Sequence, residues 1–436
     1  MILHFGLEQY LGLALYSVGI AAFVLSIFWR PIIGIYYLVP LIPLQTTRYR
    51  LLEFPLGATL VSLILGAVAV GLLRRREWIV PRSPWTFIVT VYALFTLASL
   101  FLDTRDLGPR LKEWWDYMTM PLLFFLAAAA VKDAREMKVI LALMCLAVFV
   151  MDKSFWDAVS DRDYSTFSRD LQEGGAMGYA GVQGLAAFNA QYAWVLVALG
   201  GATRMRVVWL ALNSLALFAA NCVMYSFSRG GYVAFLAGWL FIGVVKQRKL
   251  LLLLAAFAVM WASLVPGAVR DRVLMTYDPN SGELDHSAAV RLDLWRDAMD
   301  LFHESPITGT GFNTYAYMNR VGNYADTHNF YLKVLVETGL IGLAIFLWLL
   351  AKAFGMGWRL FRRADDQFYS ALGLGLAAWI VCSAAANLFG DRWSYFQING
   401  YLWLLAGLVA RALKAEPTTQ PDGQRRERAL EPAAAV

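Results

Sequence analysis

One histidine, His328, has the setting of a general base. It lies in the stretch ADTHNFYLKVLVETGLIG (325–342), directly after Asp326 and Thr327 and before a long apolar segment. Asp and Thr are residue types that cap helices, so either could begin the predicted helix. Because a helix N-terminus disfavours positive charge, the imidazole is expected to stay neutral and to accept a proton from a hydroxyl nucleophile. The alternative is a histidine that only caps the helix or binds a loop carbonyl.

Three polar residues follow His328 on the same predicted helix. Asn329 could orient the imidazole or bind a substrate hydroxyl. Lys333 and Glu337 are four residues apart, so they are expected to pair on one helix face and largely neutralise each other. We therefore expect Glu337 to support the site structurally.

Two arginines could hold an anionic group, since a guanidinium stays charged and its planar fork suits phosphate oxygens. Arg229 lies in SFSRGGY (226–232), where the glycines allow close approach of a ligand. Its alternative role is an anchor at the membrane interface. Arg291 precedes Trp295 by four residues, a spacing at which the guanidinium can stack on the indole. Arg296 points to another side of the same predicted helix, where solvation alone would explain it.

These candidates belong to a chain with the composition of a membrane protein. Of 436 residues, 59% are hydrophobic and 16% are charged, and the mean hydropathy is +0.52. Apolar runs of roughly 20 residues, the length that crosses a bilayer, predict an all-α polytopic membrane protein with about 12 transmembrane helices. The net charge of +6 is attributed to basic cytoplasmic loops rather than to nucleic-acid binding. The spacing of the three cysteines indicates neither a disulfide framework nor a zinc site.

The basic loops alternate along the chain, which assigns them to the cytoplasm and every candidate segment to the outward face. Within the larger outward, periplasmic loop, Leu292, Trp295, Met299 and Phe302 recur at helical spacing. This pattern predicts an amphipathic lid helix above the bundle. The predicted organisation is an N-terminal transmembrane bundle (1–265), the periplasmic loop (266–327), C-terminal transmembrane helices (328–412) and a disordered cytoplasmic tail (413–436).

One histidine and several arginines thus share a face on which we expect no acidic cluster to supply a divalent metal with oxygen ligands. This combination suits a lipid-linked anionic leaving group that is handled without metal or cofactor. Arginine would stabilise the departing diphosphate while histidine activates an acceptor hydroxyl.

The same residues carry a resemblance to the O-antigen ligase and polymerase superfamily, membrane glycosyltransferases with a multi-helix fold of the GT-C type. The chain is similar at SFSRGG (226–231), at RLDLW followed by SPITGTGFNTY (291–315), and at HNFYLKVLVETGLIG (328–342). The last stretch matches the family pattern H-N-x-x-L-x-x-L-x-E-x-G in order and spacing.

The resemblance implies a polysaccharide donor on undecaprenyl diphosphate and an acceptor hydroxyl on a lipid A core sugar. The bond would form with inversion, on the periplasmic side of the bacterial inner membrane. His328 occupies the family's base position, and Arg229 and Arg291 occupy its diphosphate-binding positions.

Two alternatives remain open at this point. An O-antigen or exopolysaccharide polymerase shares these motifs and would use another lipid-linked glycan as acceptor. A lipid or glycan transporter would instead place charges near the bilayer midplane, often within repeated halves. Here the halves do not match and the polar groups gather at one face, which favours an enzyme.

Overall fold

The computed structural model describes residues 8–77, 83–275, 286–322 and 324–415. Over these residues the chain is helical and contains no strand. The helices are α1 (Glu8–Phe28), α2 (Ile32–Leu41), α3 (Gln45–Tyr49), α4 (Leu60–Arg74), α5 (Pro84–Ser99), α6 (Leu107–Ala130), α7 (Ala134–Val159), α8 (Gly181–Gly200), α9 (Arg206–Tyr225), α10 (Arg229–Val245), α11 (Lys249–Leu264), α12 (Gly267–Leu274), α13 (His286–Glu304), α14 (Tyr315–Met318), α15 (Phe330–Arg363), α16 (Gln367–Ala386) and α17 (Phe396–Ala415).

Eight spans in the described part are long and apolar enough to cross a membrane, and nine if α11 and α12, which meet at 109°, form one broken span. Two further apolar helices, α2 and α10, have only 10 and 17 residues. The prediction of an all-α protein with several membrane spans is confirmed. The larger predicted number of spans, the periplasmic loop and the domain boundaries stay predictions. Most of the predicted tail, 416–436, lies outside the described residues.

The centre of the bundle is formed by α8, α16 and α17, most of whose residues are buried. A helix that is apolar on every side is buried among other helices or lies in lipid. The outer helix α11 shows the second case, since none of its residues is buried. The functional candidates lie where α10 and α15 begin, at one end of this core.

Helix α15 is broken at Gly339, whose φ of 66° and ψ of −169° are nearly exclusive to glycine. The break exposes backbone groups that an unbroken helix would pair internally, and the loop 305–311 binds them. The exchanged bonds run from Thr310 N to Val336 O (3.0 Å), from Gly311 N to Glu337 O (2.7 Å) and from Leu340 N to Pro306 O (2.9 Å). The glycine-containing loop 305–311 is therefore docked onto α15.

The amphipathic lid helix is present as α13, but its buried face differs from the predicted stripe. Leu294, Ala298 and Leu301 are buried, whereas Leu292 and Met299 are exposed. The buried residues form one cluster with Tyr315 and Val336, next to the break in α15. Contact with Tyr315 and Val336 determines which face of α13 is buried. The hydropathy of α13 alone does not reveal these contacts.

Replacing the glycine at the break tests this arrangement. A Cβ on Gly339 would lie 2.1 Å from the Ile307 carbonyl oxygen, in a backbone conformation that L residues rarely adopt. We expect Gly339→Ala to destabilise the fold by about 2 kcal/mol or more. Gly355→Ala is the matched control, because a Cβ there meets nothing within 4 Å. Thermal unfolding in detergent should show a lower midpoint for Gly339→Ala alone, and equal midpoints would contradict the docking of the loop.

Candidate active site

His328 is paired with a carboxylate two residues before it. Asp326 Oδ1 lies 3.0 Å from His328 Nδ1 and also accepts the backbone N–H of His328 at 2.6 Å. A neutral imidazole that donates from Nδ1 carries its lone pair on Nε2, which is the atom a general base needs. The backbone of His328 is left-handed, with φ of 51°, so this short turn holds a sparsely populated conformation. The arrangement orients the ring and can stabilise the imidazolium once a proton arrives.

The cap of α15 is Asn329, and this corrects the expectation that Asp326 or Thr327 begins the helix. Asn329 Oδ1 accepts the N–H groups of Tyr331 and Leu332 at 3.1 and 3.3 Å. Its side chain therefore secures the helix start next to His328. Asp326 is left to bind the imidazole.

Arg229 and Arg291 line one cavity of about 350 Å³, which we call the arginine cavity. Arg272 and Arg392 line it too, and no carboxylate belongs to its described lining. Four guanidinium groups around one space suit a multiply charged anion such as a diphosphate. The N-terminus of α10 also borders the cavity, and such helix ends attract anions.

The loop before α10 positions two of these arginines. Ser228 caps α10 by accepting the N–H of Gly231 at 3.3 Å, and Phe227 adopts a left-handed φ of 52°. The Phe227 carbonyl accepts a hydrogen bond from Arg272 Nε at 3.3 Å. Arg229 donates from Nη1 to the Met275 carbonyl at 2.7 Å. Backbone oxygens thus help to hold both side chains at the cavity.

The lid helix α13 brings Arg291 and Trp295 to the arginine cavity. The Trp295 indole N–H donates to the Thr327 carbonyl at 3.1 Å, which ties the lid to the residue before His328. Stacking of Arg291 on Trp295 stays a prediction. Arg296 lines neither this cavity nor the one described next, and its exposed guanidinium pairs with Asp293 at 3.2 Å.

A second cavity of about 420 Å³ is lined by Asp326, the partner of His328. Its described lining contains Lys333 and five carboxylates, and we call it the carboxylate cavity. The carboxylates are Glu113, Asp116, Asp326, Glu337 and Asp391. The sequence did not lead us to expect such a collection, because its members come from three separate stretches of chain. Among the described residues they form no group that could hold a metal ion.

The predicted pairing of Lys333 with Glu337 is wrong. Lys333 Nζ binds Asp391 Oδ2 at 3.2 Å, and both groups are buried. Glu337 instead accepts the backbone N–H of Asn313 on Oε2 at 3.0 Å, and the N–H of Tyr315 also lies near this carboxylate. Helical spacing allowed the pairing of Lys333 with Glu337, but the loop that contains Asp391 supplies a closer partner.

His328 is not among the described lining residues of either cavity, but contacts of its turn reach residues of both. Asp326, on the carboxylate cavity, holds the imidazole, and Trp295, on the arginine cavity, is bonded to the adjacent residue. Asp391 and Arg392 are neighbours in the chain but line different cavities. Burial lowers the pKa of Arg392, and the charges of Asp326 and Asp391 partly offset this effect. The structure therefore brings both predicted anion-binding arginines to one cavity, and it pairs the predicted base with a carboxylate that lines the other.

Three participants escaped the sequence analysis. Asp326 was considered only as a cap, and Arg272 and Arg392 were not candidates for the anion site. A signal existed for Arg392, because it lies in the polar stretch GDRWSY (390–395). Arg272 carries no such signal, because it is one basic residue on a short helix.

Comparison with protein families identifies the central part of this site. Residues 214–347 match the family described as O-Antigen ligase. The match extends from α9 into α15 and includes Arg229, Arg291 and His328. A comparison with curated proteins finds no match.

The Asp326 carboxylate gives this turn a defined dependence on pH. Burial alone would raise the pKa of Asp326, but the hydrogen bond and charge of His328 and the charge of Lys333 lower it to about 2. A depressed carboxyl pKa adds stability above roughly pH 4, and this stability is lost as the pH falls toward about 2. We expect the free energy of unfolding of wild type to exceed that of Asp326→Asn by up to about 2 kcal/mol near neutral pH. In acid the two values should approach each other. Unfolding midpoints across pH 2–7 measure this, and a gap independent of pH would contradict it.

Proposed function

Because residues 214–347 match the family described as O-Antigen ligase, we propose that this protein is an O-antigen ligase. It moves a polysaccharide from undecaprenyl diphosphate to a lipid A core sugar hydroxyl, at the periplasmic face of the bacterial inner membrane. One observation carries the proposal: the carboxylate that orients His328 lines one polar cavity, and the residue before His328 is bonded to Trp295, which lines a cavity with four arginines. A transporter has no need of an oriented base beside an anion site.

The reaction is a displacement at the anomeric carbon of the donor sugar. The acceptor hydroxyl gives its proton to His328 Nε2 while its oxygen forms a bond to that carbon. The bond from carbon to diphosphate oxygen breaks, and its electron pair leaves with the lipid diphosphate. Attack from the face opposite the leaving group inverts the configuration. Asp326 stabilises the imidazolium that forms, and no metal is required.

The arginine cavity supplies the stabilisation of the leaving group. Negative charge on the diphosphate increases as the glycosidic bond breaks, so fixed positive groups bind the transition state more strongly than the ground state. Arg229, Arg291, Arg272 and Arg392 are such groups. Since backbone carbonyls hold Arg229 and Arg272, these side chains need little rearrangement on binding.

The acceptor separates the ligase from a polymerase of the same superfamily. Both enzymes use a base and a diphosphate site of this kind, but a polymerase extends another lipid-linked glycan. The ligase is the proposal, and the polymerase is the outcome that would replace it.

Replacement of His328 tests the base. Purified protein in detergent is given undecaprenyl-diphosphate glycan with and without core lipid A, and products are identified by mass. We expect transfer only with core lipid, and a loss of about 10²-fold or more in kcat for His328→Ala. His328→Asn is the second variant, because asparagine tolerates the left-handed backbone. Chain growth without core lipid would mean a polymerase, and full activity of both variants would refute the base assignment.

Replacement of arginines tests the leaving-group site. We expect Arg229→Ala and Arg291→Ala each to lower kcat/KM for the donor by roughly tenfold to a hundredfold, since each removes a charged hydrogen-bond donor. Arg296→Ala is the matched control on the helix that also carries Arg291, and it should retain wild-type constants. Equal losses of kcat/KM in all three variants would indicate a general effect of positive charge. They would contradict a specific leaving-group site in the arginine cavity.

A further inference from the structure

The two cavities beside His328 differ sharply in charge. The described lining of the arginine cavity holds four arginines and no carboxylate, whereas that of the carboxylate cavity holds five carboxylates and one lysine. That lysine, Lys333, is already paired with Asp391. A diphosphate fits the first cavity and would be repelled by the second. The carboxylate cavity therefore calls for a different ligand.

Glu337 presents an unused acceptor to the carboxylate cavity. Its side chain lines the cavity although the residue is only 4% exposed. Oε2 accepts the N–H of Asn313 and the N–H of Tyr315 lies near the carboxylate, but Oε1 is buried and accepts no hydrogen bond of good geometry from the described residues. A buried polar atom without a partner costs free energy, and a ligand that donates a hydrogen bond would remove that cost. The atom thus indicates a ligand with a donor group.

The arginines nearest these carboxylates do not neutralise the charge of the carboxylate cavity. Arg110, close to Glu337, is not part of the lining and donates instead to the carbonyls of Phe312 and Asp103, at 2.9 and 2.6 Å. Arg48, close to Asp116, lies over the ring of Phe396 at 5.5 Å from its centroid. The lining itself keeps its excess of negative charge.

The other lining residues suit a sugar. Aromatic side chains such as Tyr92, Tyr117, Phe312 and Tyr395 line the cavity beside the carboxylates. Aromatic rings offer apolar faces to C–H surfaces, and carboxylates accept hydrogen bonds from hydroxyl groups. A saccharide combines such surfaces with hydroxyl groups.

We propose that the carboxylate cavity binds the acceptor saccharide, that Glu337 Oε1 accepts a hydrogen bond from one of its hydroxyls, and that the bound sugar carries no phosphate. This inference rests on the proposed glycan transfer and specifies its acceptor. Asp326 lines this cavity and lies 3.0 Å from His328 Nδ1, so a sugar bound here would lie beside the carboxylate that orients the base. The like charge of the wall excludes a phosphorylated sugar.

The experiment measures donor and acceptor constants separately. Wild type and Glu337→Gln receive undecaprenyl-diphosphate glycan and two acceptors, core lipid A with an unmodified terminal hexose and the same lipid phosphorylated on that hexose. We expect wild type to favour the unmodified acceptor by at least tenfold in kcat/KM. Glu337→Gln should raise the KM for that acceptor about tenfold and leave the donor KM within about twofold.

Two further variants test whether the negative charge of the cavity, rather than a structural change, causes the discrimination against the phosphorylated acceptor. Glu113 and Asp116 are exposed at the mouth of the cavity, so the double variant Glu113→Gln, Asp116→Asn should reduce the discrimination against the phosphorylated acceptor. Asp293→Asn removes the same kind of charge from the exposed face of α13, outside both cavities, and should change nothing. A changed donor KM in Glu337→Gln, unchanged acceptor constants, or equal use of both acceptors by wild type would overturn the proposal.

A binding measurement keeps this inference separate from the proposed transfer. The uncharged oligosaccharide of the core is added to wild type and to Glu337→Gln without donor, and the thermal unfolding midpoint is recorded. If the oligosaccharide raises the unfolding midpoint of wild type but not that of the variant, the saccharide site is supported. Should no transfer be detected in that case, only the proposed function fails. Transfer by wild type with no rise at saturating oligosaccharide would overturn the saccharide site and leave the transfer intact.

Discussion

The exchange of hydrogen bonds at Gly339 is the constraint on which the site depends. The break in α15 frees the carbonyls of Val336 and Glu337, and the loop 305–311 binds them. The same loop leads to Asn313, whose N–H holds Glu337, and to Tyr315, which packs under the lid helix α13. A continuous helix would satisfy its own backbone and would give the loop no attachment. The glycine therefore connects the lid to the helix that begins beside His328.

The second organising feature is the separation of charge between the two cavities. Arginines from α10, α12, α13 and the loop before α17 line one cavity, and carboxylates from α6, α15 and the turns before α15 and α17 line the other. At reduced dielectric, such a separation discriminates between ligands of different charge more strongly than bulk water would.

Strain is concentrated in the turns that carry these groups. Phe227 and His328 both adopt left-handed backbones, which cost about 1 to 3 kcal/mol each for residues other than glycine. Neighbouring bonds hold each turn: Arg272 binds the Phe227 carbonyl, while Asp326 binds the His328 backbone and Asn329 caps the following helix. Preorganised groups need not rearrange during the reaction, so this strain is consistent with a catalytic role. The buried bundle of α8, α16 and α17 provides the rigid support for both turns.

The sequence by itself determined the helical membrane class and the candidates His328, Arg229 and Arg291, because hydropathy and motif spacing are local properties of the chain. It could not determine partners that come from distant segments. Lys333 binds Asp391, 58 residues away, instead of Glu337, four residues away. The buried face of α13 and the inclusion of Arg272 and Arg392 in the arginine cavity likewise depend on which segments meet. Only the tertiary structure decided these features, since the competing local contacts are nearly equal in energy and long-range packing selects among them.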